Sequence, residues 1–334
     1  MARSGGHHRW WRPPLALLFL PVWWIVLYLA MDLVAYFTGV AVGVPEKTRE
    51  ELAWTPLQDT ALVLLSLALA IPAVMLTVKW IECRPPGALS SVTGRLRWRW
   101  LALCAGVAVP ITALPIGGAM FLPGSADPDD MWVGGEAWLR AAVVLVAIVP
   151  FQAAAEEYVC RGWLTQAVGA YVTRWWIAVV PQAVLFAAAH GWGTPSGFLS
   201  LTVFGLLTGY LTVRTGGLEA AIGMHAVSNT VIFLLGASVV GGLSSDETAA
   251  DAPWSMALID MTATVLYTVV VLWLHRRRGL RGQPVSPKAP AVTVHPEQAL
   301  PAAGTAAPGP AVPGTTDDDA TLQLVPAIDS GGAR

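Results

Sequence analysis

Three short elements carry the residues able to do chemistry. "EEYVCR" supplies Glu156, Glu157 and Arg161, directly after the apolar run "AAVVLVAIVP". "FAAAH" runs from Phe186 to His190, and "HAVSN" from His225 to Asn229, each inside an otherwise apolar stretch. Carboxylates and imidazoles at membrane depth can take up and release protons. An unpaired charge in hydrocarbon costs at least ~2.5–3.5 kcal/mol on insertion scales, so such groups are functional-site candidates by default. On a helix Glu157 and Arg161 stand four apart with the acid first, the favourable order for an ion pair. Glu156 projects about 100° round the helix from Glu157, and Cys160 occupies its i+4 position. The spacing ties down one carboxylate and leaves the other free. Taken singly, each element has a plainer explanation. A helix emerging into headgroups would solvate both acids, and a lone buried His is more often a packing residue than a catalyst. The coincidence adds weight: of six His, only His190 and His225 fall inside apolar spans. His7 and His8 precede the first span, His275 sits in a basic cluster, and His295 lies near the C-terminus.

The elements that must position these residues are helices in a bilayer. The 334 residues are 55% hydrophobic and only 13% charged, against about 25% charged in ordinary soluble domains. Runs of roughly 20 uncharged residues suffice to cross ~30 Å of hydrocarbon. The expected fold is all-α, a polytopic transmembrane bundle of about eight spans, near 14–38, 57–80, 100–122, 138–158, 176–192, 197–213, 218–240 and 254–275. The first of these is too long for a signal peptide and reads as a retained span. Trp10, Trp11, Trp98, Trp100, Trp175 and Trp176 cluster at span edges, as in interfacial belts. With the N-terminus inside, 17 of the 20 Lys and Arg fall in inside segments, and only Lys47, Arg49 and Arg140 fall outside. The positive-inside rule then puts both termini in the cytoplasm. The basic, Trp-bearing segment 84–100 suits either a membrane-surface element or an ordinary topogenic loop. Three cysteines, Cys83, Cys104 and Cys160, form no disulfide framework or zinc ribbon. The segment 283–334 is rich in Pro, Ala and Gly and is expected to stay disordered.

The three elements, in this order and on separate helices, resemble the motifs of the CPBP family, the CAAX proteases and bacteriocin-processing enzymes also called Abi. Its eukaryotic member is the Ras-converting endopeptidase of prenylated CAAX proteins. Glu156, Glu157 and Arg161 match Glu-Glu-x-x-x-Arg; Phe186 and His190 match Phe-x-x-x-His; His225 and Asn229 match His-x-x-x-Asn. The resemblance covers roughly 84–240. It implies N-terminal transmembrane helices over 1–82, a protease core over 83–245, a last transmembrane helix with its basic flank over 246–282, and the tail.

By resemblance, Glu156 with His190 activates a water, His225 and Asn229 donate to the developing oxyanion, and Glu157 with Arg161 fixes the helix and the local field. No G-x-S-x-G elbow and no H-E-x-x-H helix is present. The resemblance favours a site without an obligatory metal. The alternative is zinc held by Glu156, His190 and His225, with an open fourth position and Glu157 left as base. The expected partners are the bilayer and a peptide or protein substrate, not nucleic acid, and the composition points to a bacterial cell membrane. A non-enzymatic scaffold or immunity protein, with the polar groups as interhelical glue, and a proton-coupled transporter are the competing classes. Against transport, no duplicated halves are visible.

One geometric demand follows. His190 falls near the outer end of its span and Glu156 near the inner end of its own. For them to meet, the fourth span must continue past Trp163 with Arg161 at membrane depth, or the fifth must tilt or break. Pro181 and Gly191 permit a break.

Overall fold

Long apolar stretches bounded by Pro, Thr and Gly become helices whose ends follow ordinary capping chemistry. The computed structural model describes residues 9–48, 51–119 and 131–279, all within one unit, Met1–Pro287. Helix α1 (Arg12–Val42) begins with proline in its first turn and stops at Gly43, which takes the left-handed conformation at φ 78°. An antiparallel pair, β1 (Glu46–Thr48) and β2 (Glu51–Leu52), follows. Helix α2 (Pro56–Ala68) opens on a capping box, in which the Thr55 hydroxyl accepts from Gln58 N–H and Gln58 Oε1 accepts from Thr55 N–H. It stops at Ala68 and resumes as α3 (Ala70–Trp80). The interruption lies where the ring of Pro72 would clash with the carbonyl of the residue four before it, Ala68. Then come α4 (Trp98–Ala119) and α5 (Gly135–Glu157), the latter continued by a π-helical turn (Tyr158–Leu164) and by α6 (Thr165–Gly169). The last four are α7 (Trp175–Ala189), α8 (Pro195–Thr215), α9 (Glu219–Gly236) and α10 (Trp254–Arg277).

The exterior of α1 carries exposed Leu17, Leu18, Val22, Leu29 and Leu33. Such a surface is unsuited to water and suits lipid. Among the described residues, 7 helices are long and apolar enough to cross a membrane. The fifth expected span, α7, is a shorter apolar helix of 15 residues, about 22 Å at 1.5 Å per residue. The fourth is longer than expected: one helical run covers Gly135–Gly169, 35 residues. Those two departures meet the geometric demand. The long run carries Arg161 into the protein interior, and the short α7 ends at His190. The connection from α7 to α8 is covered by the segment before α10. Thr194 N–H donates to Ala250 O at 2.8 Å, and the Thr248 hydroxyl donates to His190 O at 3.0 Å.

Helix α9 is the centre of the bundle, packed on α4, α5, α8 and α10. Small residues allow the close approaches. A Cβ on Gly223 would sit 2.9 Å from Ala105 N of α4, and one on Gly205 of α8 would sit 2.8 Å from Ala183 of α7. At the latter crossing Gln182 Nε2 donates to Gly205 O at 2.9 Å. The segment 84–97 is partly drawn inward. Arg84 pairs with Glu82 at 2.6 Å, and Ser91 bridges Gly217. Arg95, Trp98 and Arg99 remain exposed. The expected disordered segment 283–334 and the acidic run at 127–130 lie outside the described residues.

Candidate active site

The site is built where α5, its π turn, α7, α8 and α9 meet. Glu156 and Glu157 stand on the last turn of α5. The π turn that follows widens the backbone, so that Thr165 N–H donates to Cys160 O rather than to the carbonyl four residues back. The Thr165 hydroxyl donates to the same oxygen at 2.9 Å. Single π turns inside α-helices often mark functional sites. Here the turn carries Arg161 into the interior.

One half of the site is sealed. Arg161 donates to Glu157 Oε1 at 3.0 Å, and both side chains are 0% exposed. The guanidinium carbon lies 4.1 Å from the Phe186 ring centre and 5.5 Å from that of Phe204, so two aromatic faces offset its lost hydration. Glu157 Oε1 also accepts from His225 Nδ1 at 2.7 Å. An ionised carboxylate only accepts, so Nδ1 carries the proton. The His225 ring packs edge-on against Phe204, with centroids 5.1 Å apart.

The other half is partly open. The Glu156 side chain is 20% exposed and that of His190 24%. His190 closes α7, and its Nδ1 lies 2.9 Å from Phe186 O. A carbonyl only accepts, so this Nδ1 also bears the proton. With Nδ1 so committed, each ring in its neutral form presents a bare Nε2. These two Nε2 atoms face one oxygen, Glu156 Oε2, at 3.9 Å and 3.6 Å. That oxygen is buried and has no hydrogen-bond partner. The opposite oxygen, Oε1, accepts a hydrogen bond from Gln152 Nε2. Gln152 Oε1 in turn accepts from Asn229 Nδ2 at 3.2 Å.

All six residues singled out from the sequence thus lie together. Glu157 and Arg161 form the expected pair, and Glu157 reaches His225 as well. Asn229 contacts the Glu156 side of the site through Gln152.

Sequence reading missed several participants. Gln152 precedes Glu156 by four residues, a spacing that was legible. Phe186 was recognised as part of a motif, but not as the surface under Arg161. Phe204, on α8, had no local signal. Two polar pairs further out were also missed. Arg97, beside α4, grips the buried Glu219 at the start of α9 through its backbone N–H at 2.8 Å, Nε at 2.9 Å and a second guanidinium nitrogen at 2.7 Å. It lies 122 residues away in the chain. On α10, Asp260 accepts from the Ser200 hydroxyl of α8 at 2.7 Å, one turn from Phe204.

The donor types of Glu156, His190 and His225 suit zinc. However, no group of three or more His, Cys, Asp or Glu among the described residues is arranged to hold a metal ion. The thiol of Cys160 makes no contact with the Glu156–His pair among the hydrogen bonds described.

Comparison with known proteins agrees with the resemblance. A family model described as type II CAAX prenyl endopeptidase Rce1-like matches residues 138–231, the stretch that holds all six site residues. The uncharacterized protein YyaK of Bacillus subtilis (strain 168) is 26% identical over 234 residues, 66% of this chain and 77% of that protein. No solved structure matches. With its long apolar helices the chain is an integral membrane protein, and the region that holds the site is similar to the CAAX-type endopeptidase model.

Proposed function

We propose that the chain is an intramembrane endopeptidase that hydrolyses a peptide bond of a membrane-associated substrate, with Glu156 as the working acid–base group. The observation that supports this most is the convergence of the two bare Nε2 atoms on the unpartnered Oε2 of Glu156, at 3.6 and 3.9 Å. These separations are long for direct hydrogen bonds and suit a small group held between them. A water there gives a proton to Glu156 while its oxygen attacks the substrate carbonyl. A C–O bond forms and the carbonyl electron pair becomes an oxyanion. Glu156 then passes the proton to the amide nitrogen as the C–N bond breaks, leaving a carboxylic acid and an amine.

His190 orients the water through its Nε2 lone pair. His225 can donate from Nε2 only when both ring nitrogens are protonated, because Nδ1–H is committed to Glu157. In that state it faces the oxyanion with Glu157 as its counter-charge, Glu156 having taken up the proton of the water. The second N–H of the Asn229 amide is a further oxyanion donor, effective in a site largely closed to water. Glu157 and Arg161 do no bond-making; they hold His225 and the end of α5.

The test is cleavage of membrane-anchored peptides by the purified protein and by Glu156→Gln, with elemental analysis and chelator titration alongside. Full retention of cleavage by Glu156→Gln would sink the mechanism. One zinc per chain, with activity tracking its occupancy, would replace the glutamate mechanism and leave the peptidase standing. We also infer that both termini are cytoplasmic, from the distribution of Lys and Arg. Reporter fusions after Pro14, Ser125, Ser245 and Gln283 are expected to read in, out, out and in. An external reading at Gln283 would overturn the topology.

A further inference from the structure

Helices α7 and α8 leave an apolar groove of about 330 Å³ whose lining includes none of the catalytic groups, in the size range of small-ligand sites. It is lined by Trp175, Trp176 and Val179 of α7 and by Leu206, Leu207 and Tyr210 of α8. The close crossing at Gly205 draws the helix axes together behind it. The groove is continuous with the lipid-facing surface, where Trp175, Trp176 and Val180 are exposed. One end of it is basic. Arg174 precedes Trp175 at the cap of α7, the Trp175 ring lies 5.3 Å from Tyr210, and the Arg214 guanidinium lies 5.8 Å from the same Tyr210 ring. Both arginines are exposed. Neither forms an ion pair with a carboxylate among the described residues. The ends of α7 and α8 that meet here are the start of one and the finish of the other, so both cations sit at one membrane face.

We infer that this groove binds one anionic phospholipid, its acyl chain along α7 and α8 and its phosphate between Arg174 and Arg214. The chemistry matches at both ends. An apolar, aromatic-edged slot takes a hydrocarbon chain, and guanidinium groups at the same end of the groove take a phosphate. Trp and Tyr at that level mark the boundary where a headgroup lies. A neutral amphiphile would leave the two cations without a counter-ion, and a soluble anion would leave the slot unused. The inference stands apart from the peptidase reading: α7 and α8 would bind the lipid whether or not Glu156 does chemistry.

The test is native mass spectrometry of the full-length protein in detergent, titrated separately with phosphatidylglycerol, phosphatidylcholine and inorganic phosphate. One phosphatidylglycerol is expected to remain bound in preference to phosphatidylcholine, with no retention of phosphate alone. The double variant Arg174→Gln/Arg214→Gln is expected to lose that preference by about ten-fold or more, since each basic residue contributes appreciably to anionic-lipid affinity. Val180→Trp, at an exposed position that should tolerate bulk, is expected to lower retention of both lipids. Thermal melting of each variant reports whether it is folded. Three results would overturn the inference: equal retention of the two lipids by the wild type, unchanged preference in a folded double-Arg variant, or displacement of phosphatidylglycerol by a neutral farnesylated peptide that binds the double-Arg variant equally well.

Discussion

The adjacent carboxylates Glu156 and Glu157 occupy opposite halves of one site. Glu157 is wholly enclosed, with Arg161 and His225 on a single oxygen. Glu156 is partly exposed, and one of its oxygens faces two imidazoles at distances longer than hydrogen bonds. One residue of separation turns the side chain by about 100° on a helix, and that rotation decides which acid is neutralised and which is left free. An enclosed ion pair is costly to break, because removing one partner leaves the other charged and buried. A partly exposed, underused carboxylate costs the fold little to alter and is free to exchange protons. In the mechanism proposed above, structural and chemical work are thereby separated between neighbours in sequence.

The comparison can be broken by substitution, and the largest effect is expected at the open half. Glu156→Gln should lower the turnover of peptide cleavage by about 10²–10⁴-fold, the range for loss of a general base, while the melting temperature stays near wild type. A variant that loses cleavage only because it unfolds would erase the distinction between the two halves. At the sealed half, Glu157→Gln should cost about 3–5 kcal/mol of stability and depress activity with it, because the buried Arg161 loses its counter-charge. Denaturant unfolding in mixed micelles measures this. Stability within 1 kcal/mol of wild type would show that the enclosed pair is dispensable.

Asn229→Ala should cost about 2.7–4 kcal/mol of transition-state stabilisation if its free N–H serves the oxyanion. The loss should appear in kcat more than in KM. An effect on KM alone would assign Asn229 to substrate binding instead. The smallest effect is expected far from the carboxylates. Arg97→Lys keeps a cation near Glu219 but gives up the planar fork, at about 1.5–3 kcal/mol for a lost hydrogen bond to a charged group. Because Glu219 begins the helix that carries His225, a matching fall in kcat would link the clamp to the site. A fall in melting temperature with unchanged kcat would confine it to stability.

Much of this was legible in local spacing. The Glu157–Arg161 pair, the freedom of Glu156 and the bilayer-spanning character follow from i,i+4 geometry and from runs of uncharged residues. Gln152 lay within the same rule and could have been found by it. The Phe204 and Phe186 faces under Arg161 could not, because a cation–π contact across three helices leaves no periodic trace. The Arg97–Glu219 clamp was hidden for the same reason. Read locally, Arg97 is one of several basic residues beside a span, and only its partner 122 residues away distinguishes it from Arg95 and Arg99, which stay exposed.

The sequence by itself determined the all-α membrane class, the approximate spans and the six polar residues grouped in three motifs, because hydrophobic length and helical period are properties of short segments. Where those motifs meet was decided only by the tertiary structure. Hydropathy cannot distinguish a helix that ends at the headgroups from one that continues, through a π turn, to Gly169. Nor can it show that α7 stops at His190, where the ring can reach Glu156. Both outcomes depend on buried partners supplied by other helices: Phe186, Phe204 and His225 for the charges carried by the long run, and the segment around Thr248 and Ala250 for the end of the short one.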